Sequence, residues 1–293
     1  MKRVNSIKYL LLGKLEQAVP GVDFDLVGEG GLGYIFSGEY DGKKAIFKVF
    51  KNTDFVDELP FKKENVGLTE IKHPYLMDVF DVLPQDIIVS EPCGSVSLAD
   101  RILYDSRVSL EKNLVAFGKV LSAVKYLSDN NLAHTDLKPE NILFKKYDNK
   151  PKIIDFDTMK KTDKIISYDI IFCTLKFAAP EVVTGFVSEK SDVFSLGSIL
   201  YSILHKKAPF EEQLTKKSGE DGDDRRKKYY ELLNKEPPYL GNYLVNNDIM
   251  RDLVNGMRMV DLNKRVSIDD AISMFYSAIP DYLKSHLEEK QAF

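Results

Sequence analysis

Cysteine is almost missing from this sequence: only Cys93 and Cys173 occur, far apart in the chain. Two such thiols build no disulfide framework and fit a reducing compartment, the cytoplasm or, for an exported protein, a host cytosol. Histidine is as scarce, and His73, His134, His205 and His286 are scattered, which argues against a zinc site. No excess of basic residues exists either: 41 Lys and Arg face 45 Asp and Glu, a net charge of −4. Without a basic field, nucleic acid is not an expected partner. No apolar run approaches the ~18 residues of a membrane span. The stretch from Tyr9 to Leu12 is too short even for a signal-peptide core, so residues 1–21 are expected to form an amphipathic helical extension packed on the rest. There is no internal repeat, and nothing in the composition fixes an oligomeric state.

What remains is an ordinary globular composition, 44% hydrophobic and 29% charged over 293 residues, enough for a substantial core. Residues 22–92 are strand-rich. Tyr34–Tyr40 and Lys43–Phe50 flank Asp41-Gly42, a strong hairpin signal. Phe61 to Lys72 reads as a helix carrying Val66, Leu68 and Ile71. From residue 93 to 293 the character is helical. Leu114, Phe117, Val120, Leu121, Val124 and Leu127 recur at helical spacing over 110–129, and 193–204 is apolar on every side. Residues 211–228 are charge-dense and read as a solvated loop. A small sheet lobe followed by a larger helical lobe is the expected plan.

Gly28, Gly30 and Gly33 form a G-x-G-x-x-G string. In dinucleotide-binding folds such glycines open a helix; here a strand and a hairpin follow, which suits a flap whose backbone N–H groups approach phosphates. Lys48 stands in the second hairpin strand among apolar residues and needs a partner if buried, for which Glu64 is a plausible choice. The stretch His134-Thr-Asp-Leu-Lys-Pro-Glu-Asn141 then offers Asp136, Lys138 and Asn141, with Asp155 fourteen residues on. Phosphoryl transfer needs an orienting carboxylate, cations on the phosphates and oxygen ligands for Mg²⁺, and these residue types supply all three.

In this order the chain resembles the eukaryotic-type serine/threonine protein kinase family, over about residues 22–280. The resemblance rests on GEGGLG, the lysine of AIFK, Glu64, HTDLKPEN, DFD, Ala179-Pro180-Glu181, DVFSLG from Asp192, and Arg265. It implies an α+β bilobal fold, with ATP as substrate, Mg²⁺ (or Mn²⁺) as cofactor and a protein as partner. It implies that Lys48 contacts the α/β-phosphates and pairs with Glu64, that Asp136 is the base and Lys138 its phosphate partner, and that Asn141 and Asp155 hold the metal. Ile35 and Leu143 would line the adenine, with Ser90 behind it and Glu91 and Cys93 in the interlobe hinge. Thr174 would bridge Asp136 and Lys138 at the substrate floor, as in serine/threonine enzymes. Glu181 would pair with Arg265, and Asp192 would brace the catalytic loop.

Three positions depart from the family's usual pattern. Thr135 replaces an arginine that holds a phosphorylated activation loop, so activity is expected not to depend on phosphorylating 158–173. Asp157 replaces a glycine. It is expected to be a neighbour or extra ligand of Mg²⁺, or a brake on the loop, at some conformational cost if its φ is positive. Ile46 and Ser90 suggest a nucleotide pocket narrow above and deep behind. Two other readings stay open: a pseudokinase scaffold that binds nucleotide without transfer, and a small-molecule kinase of the aminoglycoside or choline type, whose Asp-x-Asp the IIDFD stretch resembles.

Overall fold

The computed structural model describes residues 2–51, 59–84, 86–145, 150–163, 173–215, 222–233 and 247–288. Helix α1, Lys2–Ala18, comes first. Five strands follow, β1 Asp25–Glu29, β2 Gly33–Tyr40, β3 Lys43–Phe50, β4 Val79–Leu83 and β5 Ile87–Ser90, as an antiparallel sheet of order β1-β2-β3-β5-β4. The Asp41-Gly42 turn has positive φ at both residues, 49° and 72°, the backbone that a two-residue hairpin needs and that Asp and Gly tolerate.

Side-chain alternation along β3 gives the sheet two different faces. Ala45, Phe47 and Val49 join Phe36, Ile87 and Val89 in a core that Leu11 and Leu15 of α1 complete. Ile46 and Lys48 point the other way. Between β3 and β4 the expected helix over 61–72 shrinks to one turn, α2, Pro60–Lys63. Asn65 takes a left-handed φ of 52° and Gly67 follows, a helix-ending combination that the apolar spacing of Val66, Leu68 and Ile71 obscures. Leu68–Glu70 continue only as a 3₁₀ turn.

After β5 come β6 Val96–Ser97, α3 Leu98–Leu103 and α4 Leu110–Asp129, the last two started by Ser97 and Ser109 side chains that accept from the helix backbone. The remaining short strands are β7 Leu132–Ala133, β8 Ile142–Phe144, β9 Pro151–Ile153 and β10 Lys160–Lys161. Pairing of β7 with β10 and of β6, β8 and β9 frames the loops between them. Helices α5 Pro180–Val183, α6 Ser191–His205, α7 Glu211–Leu214, α8 Gly222–Leu233, α9 Asn247–Met257, α10 Ile268–Ala278 and α11 Asp281–Glu288 complete the second, helical half. Residues 191–203 of α6 are all buried, as its all-round apolar sequence requires.

The loop expected over 211–228 is largely helical instead. The buried pair that seats α8, Tyr229 and Leu232, three apart, falls just past that window, and the Tyr229 hydroxyl donates to Ala178 O. The part of that segment at 216–221 lies outside the described residues, as does most of the activation segment, 164–172 with Ser167. Among the described residues no helix is long and apolar enough to cross a membrane.

Candidate active site

The loop after β7 is built on a buried carboxylate. Asp192, at the first turn of α6, accepts from His134 N at 2.6 Å and Thr135 N at 2.9 Å. Those two bonds hold Thr135 at a φ of 68°. A β-branched residue there costs on the order of 1–3 kcal/mol and persists only where neighbours impose it. Thr135 Oγ1 donates to Thr158 O at 2.7 Å, and Thr158 Oγ1 returns a bond to His134 O at 3.0 Å. The catalytic-loop candidate is thereby tied, by two neutral hydroxyls, to the turn that carries Asp155 and Asp157.

Asp136, Lys138 and Thr174 come together as the sequence led us to expect. Lys138 Nζ lies 2.5 Å from Asp136 Oδ2 and 3.1 Å from Thr174 Oγ1, while Thr174 N donates to Asp136 Oδ1 at 3.1 Å. Asn141 Nδ2 donates to Asp136 O at 2.9 Å and reaches Asp136 Oδ2 at 3.4 Å, so its side-chain oxygen is the atom left for a cation. Asp155 is carried to the same cleft by β9, which Leu76 joins in a parallel bridge with Ile153. At Asp155 φ is 71°. The positive φ feared for Asp157 thus belongs to Asp155, and Asp157 sits unstrained in the 3₁₀ turn Phe156–Thr158.

Lys48 departs from expectation. Its ammonium lies 2.5 Å from Asp155 Oδ1 and also contacts Asp157 Oδ2, not Glu64. The Glu64 carboxylate accepts instead from Lys161 N in β10. The reason is local: without a long helix to carry it, Glu64 sits on the turn that closes α2, beside the start of the activation segment. Burial works to lower the Lys48 pKa, but Asp157 and Asp155 outweigh it and hold the ammonium charged. Burial raises both carboxyls. In Asp155 the Lys48 charge wins and the pKa falls below the usual range, whereas Asp157 is pushed up to about 7. Nearby Lys160, buried and facing Glu64, is lowered to about 8 by desolvation.

The glycine-rich turn joins β1 to β2, with Gly30 N donating to Gly33 O at 2.8 Å. A Cβ on Gly33 would stand 2.8 Å from Val49 O and 3.3 Å from Lys48 Cγ, so glycine is required there, while a Cβ on Gly28 or Gly30 would make only an ordinary contact, 3.7 Å from Ile35 Cβ or Gly33 O. Ile35 pairs with Lys48 across β2 and β3, and Ile46 faces Ser90 across β3 and β5. Ser90 is buried, and Leu143 lies in β8.

The Glu91 side chain receives Asp78 N, Lys145 Nζ at 2.8 Å and Lys152 Nζ at 2.5 Å. Sequence reasoning missed this latch, which no motif announces. Burial and the Glu91 charge push the Cys93 thiol up to about 12, and its Sγ lies 3.6 Å from Glu91 O. Away from the cleft, Glu181 and Arg265 form a two-pronged pair at 2.6 and 3.0 Å.

The sequence pattern of the protein kinase domain matches residues 22–277. Among curated relatives, maternal embryonic leucine zipper kinase of Danio rerio is 28% identical over 84% of this chain and 36% of its own length. Carbon catabolite-derepressing protein kinase of Secale cereale is 32% identical over 73% of this chain and 41% of its own. Myosin light chain kinase family member 4 of Mus musculus is 31% identical over 64% of this chain and 50% of its own. The chain thus spans half or less of the length of these relatives.

Proposed function

This chain belongs to the protein kinase family, and we propose that it transfers the γ-phosphate of ATP to serine or threonine hydroxyls of protein substrates. One observation carries the reading: Asp136, Lys138 and Thr174 share three mutual contacts of 2.5–3.1 Å, so the candidate base, the candidate phosphate cation and the substrate floor form one unit. Asp136, with each oxygen already oriented by a donor, accepts the proton of the attacking hydroxyl. Lys138 balances charge on the transferred group. Lys48 meets the α/β-phosphates beneath the Gly28–Gly33 flap. Ile35 and Leu143 enclose the adenine, and the backbone of 91–93 faces its edge.

Asn141 and Asp155 would hold Mg²⁺, or Mn²⁺ in its place. The fit is chemical: the set is all oxygen, the Asp155 side chain is about a third exposed (34%), and Mg²⁺ prefers one or two carboxylates plus phosphate oxygens to an all-protein cage. When bound, that ion neutralises charge on the phosphate oxygens. The decisive assay is transfer of radiolabel from ATP to a generic protein substrate, with Asp136→Asn as control. Transfer that disappears in the variant is the expected result. Nucleotide binding without transfer would leave a scaffold, and transfer only to small amines or alcohols would leave a small-molecule kinase.

Activity independent of activation-segment phosphorylation is the finer reading. The bonds from Thr135 Oγ1 to Thr158 O and from Thr158 Oγ1 to His134 O support it, because they fasten the loop to the Asp155 turn with no phosphate involved. Phosphatase treatment should leave turnover intact. Loss of turnover that returns on rephosphorylating Thr162 or Ser167 would overturn the reading.

A further inference from the structure

We infer that Asp157 has taken over the task of holding Lys48, and that Glu64 has been reassigned to anchor the activation segment. The inference rests on the kinase reading for its meaning, but its geometry stands alone.

Lys48 is confined before any partner is considered. Its stem lies against Gly33, and its ammonium sits 5.6 Å from the Phe50 ring centre. A short, fixed reach of this kind suits a partner that is fixed as well. Asp157 meets that requirement: its side chain is 3% exposed, against 34% for Asp155. Its backbone is pinned on both sides. Phe156 is buried against the His134 ring, with centroids 5.8 Å apart, and Thr158 is bonded in both directions to the catalytic loop. Of the two carboxylates on Lys48, Asp155 is therefore the one able to turn toward a cation, and Asp157 the one that stays.

Glu64 has a different occupation. Lys161 N, which it receives, belongs to β10, paired in register with Leu132 just ahead of the catalytic loop. Glu64 is thereby committed to the backbone of β10, while the Lys48 ammonium lies on Asp155 and Asp157. Asp157 carries a penalty, since its Oδ1 is buried with no hydrogen-bond partner. Asp157 is thus a positioning residue acting through Lys48, and Glu64 a structural one.

A pair of double-mutant cycles read by thermal unfolding tests this without relying on activity. The variants are Lys48→Met, Asp157→Asn and Glu64→Gln, the last two keeping shape and an acceptor oxygen. Lys48→Met should lower Tm by stranding two carboxylates. Asp157→Asn should recover part of that loss in the Lys48→Met background while giving no such gain in the wild type, a coupling of roughly 4 °C or more. The Lys48–Glu64 cycle should be additive.

Kinetics add a second readout: Asp157→Asn should lower kcat by roughly 100-fold with KM for ATP changed by less than about 3-fold, because a displaced Lys48 costs alignment more than binding. Equal or larger coupling of Lys48 to Glu64, or an additive Lys48–Asp157 cycle, overturns the inference. A wild-type protein that transfers no phosphate overturns the kinase reading instead, and leaves the thermal cycles interpretable.

Discussion

Arg265 and Lys48 are both buried cations paired with carboxylates from distant parts of the chain, yet they are held in opposite ways. Arg265 has no exposed side-chain surface and spends its donors on Glu181 twice, Met259 O at 2.8 Å and Lys190 O at 3.0 Å, with Phe194 5.1 Å from its guanidinium. One cation meets one anion, and a planar fork fixes the angle. Lys48 is a point charge shared by two carboxylates, one of them with an orphaned oxygen. The first cluster is closed and has no reason to change. The second carries surplus negative charge in a cleft, the condition under which a bound cation or phosphate can rearrange it.

Breaking the closed cluster should cost most. Glu181→Ala leaves the Arg265 charge buried and unmatched, and urea unfolding should register a loss of about 3–5 kcal/mol. Arg265→Lys keeps the charge but loses the fork and its two backbone bonds; an intermediate loss of about 2–3 kcal/mol is expected in the same measurement. Thr135→Val tests the tie between the 134–141 loop and the turn that carries Asp157. It removes one hydroxyl and leaves Thr158 O without that donor, so about 1–2 kcal/mol should go, with faster amide exchange in the turn 156–159.

A pH dependence at the edge of the sheet half, felt only in acid, gives the last test. Burial, helped by Lys152, lowers His73 from 6.5 to about 4, and its Nδ1 accepts from Tyr75 N at 3.2 Å. The folded state therefore binds fewer protons than the unfolded chain. This contribution is complete above pH 6.5 and fades as the pH drops toward about 4. In His73→Gln the fall in Tm across that window should be shallower.

How far the sequence carried this picture depended on whether a signal was local. The hairpin at Asp41-Gly42, the 110–129 helix and the all-round apolar α6 follow from period and turn chemistry, and the structure repeats them. The triangle of Asp136, Lys138 and Thr174, and the Glu181–Arg265 pair, were legible from motif order alone. Glu64 was not, because its expected role presumed a helix that Asn65 and Gly67 cut short. Residues 211–228 misled for a related reason: charge density marks exposure, and the buried residues that seat α8, Tyr229 and Leu232, lie just past that window. Asp157 looked like an awkward substitution because its partner, Lys48, is more than a hundred residues away in the chain.

Helix α1 also bears on where the protein can be cut. The family pattern starts at residue 22, downstream of it, so a fragment trimmed to that outline looks complete on paper. Leu11 and Leu15 are nonetheless buried on Phe36, Phe47 and Val89, each leucine worth about 1.5–3 kcal/mol. Such a fragment would come off the ribosome with a bare apolar sheet surface, and aggregation on expression would be easily misread as a defect in the helical half.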